Sequence, residues 1–355
     1  METTDTATTP RPAPPAGRPR LGFLGVGWIG RNRMEAIVQS GAAEVVAVSD
    51  PSSEAVAAAQ EAAPGAEAAA DLDALLALDL DGVVIATPSA MHAAQSVAAL
   101  ERGVAVFCQK PLARSAAEAR RVVDAARAAD RPLGVDLSYR RVAGVPEIRN
   151  LVQGGALGSV YAVDLTFHNA YGPDKAWFYD AERSGGGCVM DLGVHLVDLA
   201  LWALDYPDVE AVQSALYSGG ERLPLPVDRV EDYALATLDL AGGAASAAGA
   251  TVRLACSWNA PAGQDAAIEA TVYGTEGGAR LANVDGSFYD FTAERLQGTA
   301  RETIAAPPDD WGGRAAVAWA EGLAAGAGFD PEAERLVALH DVLDWIYGRP
   351  RTERP

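Results

Sequence analysis

Two short stretches of this sequence carry side chains able to move a proton. In C-Q-K-P, Lys110 ends an apolar run and precedes Pro111, whose ring disfavours helical geometry in the residue before it and keeps the lysine extended. A lysine so placed points into a crevice, although an ordinary solvated lysine has the same local sequence. In S-G-G-G-C-V-M-D-L-G-V-H-L-V-D, Asp191 and His195 stand four apart on a helical segment and Asp198 follows three later, so one helical face carries all three. Three chemistries fit: an intrahelical Asp–His pair, a zinc site made from His and two carboxylates, or a lysine and a histidine flanking a substrate hydroxyl. No H-E-x-x-H spacing supports the zinc reading, and no metal is expected. In the third reading either Lys110 or His195 takes the hydroxyl proton while hydride leaves the same carbon.

Hydride needs an acceptor, and the N-terminal part of the chain supplies the pattern of one. Gly25-x-Gly27-x-x-Gly30 lies where the strand-like L-G-F-L turns into the helical R-N-R-M-E-A-I-V-Q-S, with Trp28 and Ile29 inside the turn. The first glycine permits the tight turn, the second lets backbone approach a pyrophosphate, and the third lets helix and strand pack closely. The helix N-terminus then faces the phosphates. Asp50 closes the next strand 20 residues beyond Gly30, placed to accept hydrogen bonds from adenosine ribose hydroxyls. Its charge would repel a 2′-phosphate and no arginine follows it, so NAD is expected, with NADP left possible by Ser49. Thr87 and Pro88 end another strand where loops meet ligands, and His92 follows either as a cofactor contact or as a helix-start residue.

The elements that position these residues change character once along the chain. From residue 20 to about 140, short buried strands (E-V-V-A-V-S-D, G-V-V-I-A-T-P, V-A-V-F-C-Q-K-P) alternate with helical segments of about a dozen residues. That alternation implies right-handed crossovers and a parallel sheet with helices on both faces. After Arg141, V-P-E-I-R-N-L-V-Q-G-G reads as a helix, and the helix around 191–204 is followed by strand-like stretches joined by short turns. These suggest a mostly antiparallel sheet with a closing helix, P-E-A-E-R-L-V-A-L-H-D-V-L-D-W-I-Y-G. The expected fold is therefore α/β, an N-terminal Rossmann parallel sheet (residues 20–140) plus a C-terminal α+β domain (141–355) with an open sheet. An open sheet must hide a face, which favours self-association.

Composition narrows the partners. With 28 basic against 48 acidic residues and a net charge of −20, the surface repels phosphate backbones and anionic membranes, so neither nucleic acid nor a membrane is expected. Cys108, Cys188 and Cys256 show no paired spacing and read as reduced core residues. Residues 1–19 are rich in Thr, Pro and Ala and read as a disordered tail without a signal-peptide core. A cytoplasmic protein is expected.

Together, the Gly25–Gly30 turn, V-V-I-A-T-P, Lys110-Pro111 and S-G-G-G before Asp191-x-x-x-His195 resemble the glucose-fructose oxidoreductase, inositol dehydrogenase and rhizopine-catabolism (Gfo/Idh/MocA) family over nearly the whole chain from Leu21. The resemblance implies catalytic roles for Lys110, Asp191 and His195, a sugar or cyclitol substrate, and a dimer or tetramer formed through the second domain. One departure stands out: Gln109 occupies the position where the family usually has glutamate. A neutral amide can still orient Lys110 but stabilises its ammonium less than a carboxylate would. Arg140 is carried over as a cofactor contact, and Tyr139, His168 and Trp177, beside Asn169, as residues facing the substrate, although packing explains them equally well. Two further readings go with the resemblance: redox-assisted glycoside cleavage, in which the sugar is oxidised only transiently, and a non-catalytic redox sensor, which the presence of both Lys110 and His195 disfavours.

Overall fold

The computed structural model describes residues 17–350. Most of the expected tail lies outside the described residues, but Pro19 already belongs to the fold, its carbonyl accepting from the Glu44 N–H at 2.8 Å.

The N-terminal sheet contains β1 (Arg20–Leu24), β2 (Glu44–Ser49), β3 (Glu67–Ala68), β4 (Gly82–Ile85), β5 (Ala105–Cys108) and β6 (Leu133–Val135). All pair in parallel, in the order β3-β2-β1-β4-β5-β6. Every residue of β4 and β5 is buried, as strands covered on both faces require. The covering helices are α1 (Trp28–Ser40), α2 (Ser53–Ala62), α3 (Leu72–Leu76), α4 (Ser89–Glu101) and α5 (Ala116–Ala129). Strand order reverses between β1 and β4, which opens a crevice beyond their carboxyl ends.

Helix α6 (Gly144–Gln153) leads into the second sheet, made of β7 (Val160–Asn169), β8 (Val209–Ser218), β9 (Glu221–Arg222), β10 (Tyr233–Leu240), β11 (Ala250–Ser257), β12 (Ala266–Gly274), β13 (Gly278–Asn283), β14 (Phe291–Gln297) and β15 (Ala300–Ala305). Its order is β15-β14-β13-β12-β7-β11-β10-β8-β9, antiparallel throughout except for β7 beside β11. Period-two burial sets its two faces: Val163, Leu165 and Phe167 of β7 turn inward, while Asp164, Thr166 and His168 turn outward. Between β7 and β8 come the short α7 (Ala181–Ser184) and α8 (Val194–Ala203). The inner face packs on α6, α8 and α10 (Glu334–Ile346). The apolar stretch Ala181–Ala203 is long enough to cross a membrane, yet 83% of its most apolar window is buried inside the fold.

Two features depart from expectation. The 191–204 helix begins as a π turn over Val189–Gly193 before α8 takes over. A further helix, α9 (Arg314–Ala324), follows β15 and returns to the first sheet, where Trp319 lies 5.7 Å from Phe107 between ring centroids. Residues 306–350 therefore cover the dinucleotide half as well as their own.

Candidate active site

Each glycine of the first turn has a separate spatial reason. Gly25 has φ +86°, and a Cβ there would stand 2.5 Å from the Ala86 carbonyl oxygen. A Cβ on Gly30 would stand 2.1 Å from the Gly25 carbonyl, so helix and strand meet only without it. At Gly27 no protein atom lies within 4 Å of the added Cβ, and the residue lines a cavity of about 830 Å³. That open space, at an α1 N-terminus with no side-chain cap, fits a pyrophosphate. Asp50 steadies the turn by accepting from the Val26 and Ser52 N–H groups, each at 2.9 Å. The glycine cradle and the acidic strand end fit a bound NAD.

Lys110, two residues past β5, reaches across the cavity to Asp191 of the π turn. Its Nζ donates to Asp191 Oδ1 at 2.7 Å and to the Asp191 carbonyl at 2.8 Å, while the Trp258 indole N–H donates to Oδ2 at 3.1 Å. Both carboxylate oxygens of Asp191 are thereby held, and neither is held by His195. The histidine is buried on the cavity wall against Tyr139, ring centroids 4.7 Å apart, and its Nδ1 has no hydrogen-bond partner. Burial, with Lys110 and Arg33 nearby, holds its pKa well below the ordinary histidine value.

The π turn is anchored from beneath by Glu231, a fully buried carboxylate. Its oxygens accept from the N–H groups of Gly187 (2.9 Å) and Val189 (2.8 Å) and from the Tyr347 hydroxyl (2.8 Å). Burial pushes its pKa upward. Nothing in the local sequence marks Glu231, because its partners lie 42, 44 and 116 residues away.

Most residues expected at the site do line the cavity: Trp28, Ile29, Thr87, Pro88, Gln109, Tyr139 and Trp177 join Gly27, Lys110, Asp191 and His195. His92 also lines it, but its ring nitrogens sit 2.7 Å from the Pro111 and Thr87 carbonyls, so its one N–H is taken by a wall carbonyl and the other nitrogen faces the second. Gln109 does not orient Lys110, since its amide donates to Asp136 instead. The carboxylate on Lys110 comes from Asp191.

Arg140, expected as a cofactor contact, does not line the cavity: it pairs with buried Asp198 and the Tyr206 hydroxyl. Asp198 therefore does not share the site with Asp191 and His195, and the three ligands of a zinc reading do not assemble. The π turn shifts Asp191 relative to His195 by a fraction of a turn, which four-residue spacing does not foresee. His168, expected to face the substrate, does not line the cavity either. It lies on the outward face of β7, stacked on Tyr233 at 5.6 Å, with Nδ1 2.7 Å from the Ser257 hydroxyl.

Arg33 was missed by the sequence reading. It occupies the buried stripe of α1 with Gly30, Met34 and Ile37, and pairs with Asp136 at 2.6 Å. A cation on an otherwise core-facing stripe was the available signal. Each lining cation is in fact paired with a lining carboxylate: Arg33 with Asp136, Lys110 with Asp191, Lys175 with Asp174. Asp290 and Asp310 add further negative charge, and Phe178, Tyr289 and Trp311 add aromatic faces.

A parallel sheet carrying a dinucleotide turn at its switch point, with a second sheet domain bringing Asp191 and His195 to the same cavity, defines a two-domain dinucleotide-binding fold. Comparison with known proteins sharpens this. Residues 20–137 match the oxidoreductase family with an NAD-binding Rossmann fold, and residues 145–280 match the GFO/IDH/MocA C-terminal domain. D-apiose dehydrogenase of Paraburkholderia graminis is 30% identical over 84% of this chain and 74% of its own. D-glucoside 3-dehydrogenase of Escherichia coli is 33% identical over 39% and 40%. The crystal structure of GenD2 from gentamicin A biosynthesis, in complex with NAD, superposes with a TM-score of 0.77 at 25% identity, covering 96% of each chain. The chain belongs to the Gfo/Idh/MocA oxidoreductase family, and its N-terminal domain is an NAD-binding Rossmann fold. It spans about half the length of several of the curated relatives it matches.

Proposed function

We propose that this protein is an NAD-dependent dehydrogenase that exchanges hydride with a CH–OH or C=O carbon of a sugar or cyclitol carrying no phosphate. The observation that carries the reading is the Lys110–Asp191 pair, 2.7 Å apart, beside His195 in the same cavity as Gly27. Bound NAD supplies the hydride acceptor. Lys110 and His195 meet the substrate oxygen, Asp191 and Trp258 hold Lys110 in place, and Tyr139 backs His195. Trp177, Phe178 and Trp311 offer faces for the C–H side of a ring, and Asp290 and Asp310 accept from hydroxyls or an amine. Because the buried lining cations Arg33 and Lys110 are already paired, a nucleotide diphosphate on the substrate would find only the exposed Lys175 as counter-charge. Residues 20–140 serve as the cofactor domain and 141–355 as the substrate domain. The outward sheet face, with Leu235 41% exposed, is the proposed dimer or tetramer surface. Cys188 and Cys256, unbonded with sulfurs 3.8 Å apart, fit a reducing cytoplasm.

The test is NADH formation by the purified protein with NAD or NADP against inositols, free hexoses, amino sugars, glycosides and nucleotide-linked sugars. Turnover of a phosphate-free class with NAD, reduced ~100-fold or more in Lys110→Met, is expected from the usual size of general acid–base catalysis. Aglycone release without NADH, or turnover unchanged by Lys110→Met, would overturn it.

A further inference from the structure

His195 is the one proton-transfer candidate at this site whose side chain lacks support for a charge. Its Nδ1 is sealed from solvent and meets no acceptor. Asp191, four residues before it, has Oδ1 on Lys110 and Oδ2 on Trp258. The charges acting on the imidazole are Lys110 from the β5 end and Arg33 from α1, both positive, while Asp136 Oδ2 accepts from Arg33 and Gln109 and its buried Oδ1 is unpartnered. Tyr139 covers one side of the ring with an aromatic surface. An imidazolium here would bury an N–H without a partner and face two cations.

The two neutral tautomers are also unequal. A proton on Nδ1 leaves a buried donor unsatisfied, whereas a proton on Nε2 leaves only an unsatisfied lone pair, the milder defect. With Nδ1 sealed, Nε2 is the nitrogen that meets the cavity.

We propose that His195 stays neutral through turnover and acts as a fixed Nε2–H donor to the substrate oxygen, the substrate proton passing to Lys110. In the oxidation direction the Lys110 ammonium first gives one proton to solvent; the hydroxyl O–H bond then breaks and its proton joins the resulting Lys110 amine, restoring the ammonium paired with Asp191. The oxygen electrons become the new C=O bond as the C–H pair leaves as hydride to NAD. In reduction the ammonium returns the proton while the His195 N–H steadies the carbonyl oxygen. This rests on the dehydrogenase reading for its substrate, but its first test does not.

Nitrogen-15 NMR of histidine-labelled protein, with His195→Gln to assign the signal, reads tautomer and charge directly. A neutral Nε2–H imidazole that does not titrate between pH 5.5 and 8.5 is expected; an Nδ1–H tautomer or a titration within that range would overturn the proposal. The second test compares His195→Gln, whose amide keeps an N–H donor but cannot act as a base, with His195→Ala. Removing a donor to a developing oxyanion costs ~100-fold or more, so the alanine variant falls by that factor and glutamine restores kcat to within about tenfold of the parent. Glutamine as inactive as alanine, in a variant with unchanged melting temperature, would overturn the donor role. Loss of the dehydrogenase reading itself would appear instead as no NADH formation by the unsubstituted protein, with the NMR result unaffected.

Discussion

Replacing Gly187 by alanine tests whether the floor of the site is held to sub-ångström tolerance. A Cβ at Gly187 would lie 1.8 Å from the Glu231 carbonyl oxygen. Comfortable carbon–oxygen packing begins at roughly 3.2 Å, so about 1.4 Å of overlap must be relieved. The obstacle is backbone, and Glu231 is itself tied to the Cys188 N–H at 3.1 Å, so no side-chain rotation absorbs it. Relief must move the S-G-G-G segment, and the Asp191 N–H hydrogen bonds directly to the Gly187 carbonyl at 3.1 Å. Misplacing a catalytic group by about 1 Å costs on the order of 100-fold, and overpacking costs ~1–3 kcal/mol of stability. We therefore expect kcat to fall about 100-fold and the melting temperature to drop, with NADH affinity unchanged because the Gly25–Gly30 turn is untouched. Steady-state kinetics, NADH fluorescence titration and a thermal melt measure the three. Gly65→Ala, where nothing lies within 4 Å of the added Cβ, serves as control. A Gly187→Ala enzyme with kcat within threefold of the parent would refute the reasoning.

Other perturbations separate cofactor, stability and pH effects. Arg140→Met leaves buried Asp198 without its cation, which should cost ~3–5 kcal/mol in urea unfolding while the KM for NAD stays put. A tenfold rise in that KM would return Arg140 to the cofactor site. Asp50→Ala should weaken NADH binding about tenfold or more, since hydrogen bonds to a charged group contribute ~1.5–3 kcal/mol, and should narrow the preference over NADPH. An unchanged preference ratio counts against Asp50 as the discriminator. Buried His92, His195 and His340 all have lowered pKa values, burial being the leading cause. The unfolded chain therefore takes up their protons first, so stability is fully present above the unfolded value near 6.5 and is lost as pH falls below it. The slope is at most ~1.4 kcal/mol per pH unit for each imidazole. Glu231, whose carboxyl is raised, works in the opposite sense but is a single group. Urea midpoints that stay flat between pH 7.5 and 5.5 would contradict this.

How much of this was legible beforehand depended on the range of the interaction concerned. The dinucleotide turn was fully legible, because tight turning, phosphate approach and helix–strand contact are imposed within six residues and only glycine satisfies all three. The alternation of strand and helix, and then of strand and strand, likewise follows from local apolar periodicity. Lys110 and the Asp191–His195 segment could be nominated from residue type and spacing. What each touches could not be: Asp191 serves Lys110 and Trp258 rather than His195, and Asp198 and Arg140 bind each other away from the cavity. The π turn that carries Asp191 is anchored by Glu231, far away in the chain. His168 shows the same limit, since a strand pattern says that alternate residues share a face but not which face the site lies on. Sequence by itself determined the class of fold, the cofactor cradle and the candidate proton-transfer side chains, all properties of short-range stereochemistry. Only the tertiary structure decided which of those side chains meet, which are neutralised and which are left unpartnered, because pairing and burial arise where segments distant in the chain pack together.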